Sequence, residues 1–96
     1  MNPFFEDLGR RLAAAARVRD VEITPPEIDS QVADELLELA RVAAHTQERR
    51  FAPLACFLAG VASERLRAGR PGLTAAEAAA YLNEVRQSLE SRSEPE

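Results

Sequence analysis

Apolar residues recur at three- and four-residue steps along most of the chain, the spacing that gathers side chains on one face of an α-helix. Four segments carry this pattern. Over 3–17, Phe4, Phe5, Leu8, Leu12, Ala15 and Ala16 share a face, while Arg10 and Arg17 fall on the other side. Pro3 suits a first helical turn, where its missing N–H costs nothing. The segment 26–48 is the most regular. Val32, Ala33, Leu36, Leu37, Leu39, Ala40, Ala43 and Ala44 form its stripe, opposite Asp34, Glu38, Arg41, His45 and Glu48. Thr24-Pro25-Pro26-Glu27 has capping-box spacing, and Asp29 is a rival cap for the same helix.

The third segment, 53–68, is apolar over more than half its circumference through Leu54, Phe57, Leu58, Val61, Ala62 and Leu66. A helix of that kind requires cover on most sides, which predicts that it forms the centre of a bundle. Ala55, Ala59 and Ala62 make a ridge of small residues where another helix can approach closely. Gly69 is the expected left-handed cap, with Pro71 soon after. The fourth segment, 75–90, opens on the capping box Thr74-Ala75-Ala76-Glu77 and carries Ala78, Tyr81, Leu82, Val85 and Leu89 on one face.

The connections follow from what remains. Val18 to Pro26 reads as a linker in which Val21 and Ile23 alternate with charged residues, so both are expected to dip into the core. No second segment offers a partner strand. Between the second and third helices neither Gly nor Asn stops the chain. A continuous helix from Glu27 to Ala68 would exceed ~60 Å at 1.5 Å per residue, too long for so short a chain. Pro53 cannot donate to the carbonyl of Arg49, which places a sharp turn within Glu48 to Ala52. The expectation is an all-α fold, a compact bundle of about four helices. Residues 1–90 form a single domain and 91–96 a flexible polar tail.

Composition narrows the function classes. With 96 residues there is room for one core, and the 46% apolar content excludes compositional disorder. The net charge is −4, and the twelve basic residues are spread out rather than clustered. That argues against nucleic-acid and anionic-membrane partners. The longest apolar run, Phe51 to Ala62, is interrupted by Pro53 and falls short of the ~20 residues of a membrane span. Met1 to Asp7 has acids and no apolar core, so no signal peptide is expected. Cys56 is the only cysteine, which removes disulfides and thiolate metal sites and fits a reducing cytoplasm.

Few residues offer chemistry. His45, the only histidine, shares a helix face with Arg41, Glu38 and Glu48. It suits a pH-responsive group or, with Glu38 and Glu48, a metal ligand. A structural-type metal site needs about four ligands, mostly imidazole or thiolate, so a solvated, salt-bridged face outweighs a metal and none is assigned. Glu48, Arg49 and Arg50 lie in the turn, where two arginines beside a helix start suit a phosphate or carboxylate. Against that, they equally suit the last carbonyls of the second helix and an ion pair with Glu48. Cys56 lies in the first turns of the third helix, where a low-pKa thiol is conceivable. An inert thiol acting as a small hydrophobe is the stronger reading. The four glycines match no phosphate-cradling loop. No catalytic residue and no cofactor are assigned. The candidate positions are Arg41, His45, Glu48 and Arg49.

Taken together, Leu36-Leu37-Glu38-Leu39-Ala40-Arg41-Val42-Ala43-Ala44-His45, then Glu48-Arg49, Ala52-Pro53-Leu54 and Phe57-Leu58-Ala59-Gly60 resemble a family of small helical domains. That family occurs in actinobacteria and related high-GC bacteria and is described as a domain of unknown function. Its members stand alone or are fused to the C-terminus of nucleotidyltransferases that resemble the molybdenum-cofactor guanylyltransferase. The resemblance implies a non-enzymatic helical interaction module, accessory to molybdenum-cofactor nucleotidyl transfer. Two alternatives stand beside it: a homodimeric structural domain, and a small-anion or ligand binder using His45, Glu48 and Arg49. The expected partner is a protein or a second copy of the chain, in the cytoplasm.

Overall fold

A computed structural model describes residues 2–93. Four helices follow one another: α1 (Pro3–Val18), α2 (Ser30–Thr46), α3 (Phe51–Gly69) and α4 (Ala75–Ser93). No strand occurs among the described residues, and the fold is an all-α bundle. The expected tail begins inside α4, which continues to Ser93, and residues 94–96 lie outside the described residues.

The helix ends are set by local hydrogen bonds. Asn2 caps α1, its side-chain oxygen accepting from the Phe4 N–H at 2.8 Å. At the other end Asp20 adopts φ 62°. The Asp20 N–H donates to the Arg17 carbonyl and the Val21 N–H to the Ala16 carbonyl, the paired bonds of a Schellman ending. The start of α2 corrects the expected onset at 26: Asp29 is the cap, its carboxylate accepting from Gln31 and Val32. Thr24-Pro25-Pro26 instead belongs to an extended strap between α1 and α2. Pro26 is one reason, since it biases Pro25 away from helical angles.

The second turn lies where it was expected. Helix α2 ends at Thr46, and the N–H groups of Phe51 and Ala52 donate to the carbonyls of Glu48 and Arg49. Helix α3 has no side-chain cap, so Pro53 marks its first turn rather than its first residue. The left-handed glycine after α3 is Gly72, at φ 91°, and not Gly69, which remains helical. Helix α4 starts on the capping box as read. Thr74 Oγ1 accepts from the Glu77 N–H at 3.1 Å, and the Glu77 carboxylate accepts from the Thr74 N–H at 2.9 Å.

The centre of the bundle is α2, not α3. It packs on both α3 and α4, while α3 and α4 touch each other only lightly. The core gathers Leu39 of α2, Ala59 of α3 and Leu82 of α4, with Val32, Leu36, Ala55 and Tyr81 packed around them. Val42 is also buried, at 3% exposure. Beside this apolar seam, Glu35 of α2 meets α4. Its carboxylate accepts from the Asn83 amide at 3.1 Å and pairs with Arg86, which also pairs with Glu90.

Helix α1 makes no helix–helix contact among the described residues. Gly9 is covered by the strap, and Ala13 is buried on the same helix. A Cβ at Gly9 would lie 2.6 Å from the Pro26 carbonyl oxygen, so only glycine allows this approach. Val21 and Ile23 do not enter the core: they are 52% and 41% exposed, in a strap that is held against α1 at Pro26 and Gly9.

Candidate functional site

Four positions carried the sequence's candidate chemistry, and all four side chains are exposed at one end of the bundle. Arg41 is held by Glu38, its guanidinium 3.1 Å from the carboxylate. His45 lies in the last turn of α2 and forms no side-chain hydrogen bond or ion pair among the described residues. Glu48 pairs with Arg50 at 3.3 Å, and the Arg50 guanidinium lies 5.8 Å from the centre of the Phe51 ring. Arg49 contributes its carbonyl to the turn. The structure thus pairs Glu48 with Arg50 and does not gather His45, Glu48 and Arg49 around one point. Among the described residues no three His, Cys, Asp or Glu side chains come together as metal ligands.

Cys56 faces inward. Its thiol donates to the Leu36 carbonyl across the α2–α3 contact at 3.5 Å, and burial pushes its pKa upward, which disfavours the reactive thiolate. A concavity lies apart from Arg41, His45, Glu48 and Arg49. A cleft of about 260 Å³ opens between the starts of α2 and α4 and the middle of α3. Val32, Leu36, Ala78 and Leu82 form its floor, with Asp29, Glu64 and Arg67 on its rim.

The surface that departs from an ordinary one is the outer face of α3. The helix turns its small residues, Ala55, Cys56, Ala59, Ala62 and Ser63, toward its neighbours, because small side chains let two helix backbones come close. Its large residues point the other way: Leu54 is 62% exposed, Phe57 69% and Leu58 68%. Phe51 lies at the edge of the same patch and Val61 is half-buried. From Phe51 to Ser63 there is no charged residue, and the exposed large side chains from Phe51 to Leu58 run along about two turns. On α1, Phe4, Leu8 and Leu12 form a second open apolar stripe at four-residue steps.

Sequence reading found the residues of the α3 patch but assigned them to the core. The ridge of small residues was the signal that settled the orientation: only one face of a helix can be in closest contact, and the alanines occupy it. The Glu35–Arg86 pair was missed, since a carboxylate flanking an apolar stripe looks like any surface residue until α4 is laid beside it.

The chain belongs to the family described as Domain of unknown function (DUF6457), whose match spans residues 2–96. No curated protein and no solved structure matches the chain. No helix among the described residues is long and apolar enough to cross a membrane.

Proposed function

We propose that this chain is a non-enzymatic helical interaction module whose working surface is the outer face of α3. The supporting observation is the exposure of Leu54, Phe57 and Leu58 side by side on a charge-free helix face. Contiguous apolar surface of this kind marks sites of protein association. Aromatic and aliphatic anchors at i, i+3, i+4 and i+7 are what a helix presents to an apolar groove or to another helix.

The family resemblance in Leu36–His45, Glu48-Arg49 and Phe57–Gly60 suggests the setting: an accessory role beside a cytoplasmic nucleotidyltransferase of the molybdenum-cofactor type, in an actinobacterial cell. The test is co-purification of the chain with such a nucleotidyltransferase from the same genome, using wild type and a Leu54→Glu/Phe57→Glu variant. Retention by wild type and loss in the variant, at unchanged helix content, is the expected outcome. Equal behaviour of the two chains removes the α3 face from the function, and no retention of either removes this partner. The small-anion reading of His45, Glu48 and Arg49 is tested separately by phosphate titration of the His45 ring protons. A saturable shift lost in Arg49→Ala would support it.

A further inference from the structure

Given that the outer face of α3 is an interaction surface, its size and chemistry indicate what covers it. The chain exposes 7495 Å². A compact monomer of its 10.5 kDa exposes about 5,400 Å². The excess, roughly 2,000 Å², belongs to the open shape as a whole, the α1 stripe and the strap included, and leaves room for the ~800 Å² that each partner gives up in a standard protein interface. The radius of gyration, 15.1 Å, likewise exceeds the ~12.5 Å of a compact domain of this length.

The chain's own α1 is not the cover. Its strap holds it at Gly9, and α1 makes no close approach to α3. Charge favours self-association over an acidic or basic partner. A two-fold contact places a patch against itself, so every charge in it meets its like. The stretch Phe51–Ser63 carries none, although the whole chain has a net charge of −4. We infer that this face is covered by the same face of a second copy, the two α3 helices antiparallel about a two-fold axis near Leu58, so that the nucleotidyltransferase proposed above is met by the assembled dimer and not by this face directly. In that register Glu64 and Arg65 of one copy fall level with Ala52 and Phe51 of the other, at the ends of the charge-free stretch.

The experiment is sedimentation velocity on the full chain at ~1 and ~100 µM, with Leu58→Glu alongside. Wild type is expected to sediment at twice the 10.5 kDa chain mass at the higher concentration. Leu58→Glu brings two carboxylates together at the axis and is expected to weaken the dimer on the order of 100-fold. Because Leu58 is exposed in the single chain, helix content is expected to be unchanged. A second measurement does not depend on the glutamate variant folding. Leu58→Cys in a Cys56→Ser background, oxidised with glutathione disulfide, is expected to give a covalent dimer, and Glu84→Cys on the far side of α4 is not.

A wild-type monomer at ~100 µM overturns the second copy and leaves the interaction reading for another protein. A dimer indifferent to Leu58→Glu and without the Leu58→Cys crosslink overturns this face as the contact. An intrachain disulfide between Phe4→Cys and Leu58→Cys shows α1 covering α3 and overturns both readings.

Discussion

Two residues between α3 and α4 carry energies that can be measured singly. Gly72 holds φ 91° with open space where a Cβ would project, so Gly72→Ala isolates the cost of the left-handed backbone, about 1 kcal/mol. A fall of roughly 4–8 °C in Tm is expected for a chain of this size, and an unchanged Tm would show that the turn relaxes freely. Glu77 is the second case. Accepting the Thr74 N–H and hydroxyl holds its carboxyl below the ordinary glutamate value. A carboxylate depressed in the folded chain adds stability that is fully present above its unfolded pKa, about 4.3. That stability is lost as the pH falls through the lower, folded value. The Tm gap between wild type and Glu77→Gln is therefore expected to be constant near neutrality and to close on acidification below about pH 4. A gap that stays flat into strong acid contradicts the reciprocal cap.

At the scale of elements, which face of α3 lies inside decides the behaviour of its variants. Ala59 sits in the core against Leu39 and Leu82. Ala59→Leu forces α2 away and is expected to cost about 1–3 kcal/mol. Leu82→Ala, at 3% exposure, is expected to cost about 2–5 kcal/mol, enough to unfold much of a marginally stable domain. Leu54→Ala removes as much carbon as Ala59→Leu adds, yet is expected within ~0.5 kcal/mol of wild type in the dissociated chain. Urea denaturation of the three variants at low concentration checks the order, and a Leu54→Ala loss as large as that of Leu82→Ala would put the large face inside.

Much of this level was legible in the sequence. Helical periodicity located all four helices, and Thr74-x-x-Glu77 fixed the start of α4. Two things were not legible. Asp29 and Thr24 both offered a cap, and the extended course of Thr24-Pro25-Pro26 past Gly9 decides for Asp29. The total apolarity of α3 said that it needs cover, but not which of its faces turns outward. The candidate positions Arg41, His45, Glu48 and Arg49 could be read as one helix end, and nothing in their spacing distinguished a ligand site from the solvated ion pairs that hold Arg41 and Glu48.

For the whole molecule, the arrangement is a three-helix core with α1 strapped to its side, spread over 52 × 31 × 24 Å. Such a shape leaves two apolar stripes, on α1 and on α3, facing solvent in a single chain. On the proposed reading, association is the property that the fold, rather than any one side chain, supplies. It also makes a concentration-dependent Tm the expected thermal signature, because folding and covering of α3 are linked. The rival arrangement is a closed monomer in which α1 lies down on α3, and that arrangement is smaller. Small-angle X-ray scattering with forward-intensity mass determination separates the two in one measurement. With the α3 face open to a partner, the expected particle never has a radius of gyration below the 15.1 Å of the single chain, and its mass rises with concentration. A particle of one-chain mass with a radius near ~12.5 Å at every concentration would contradict it.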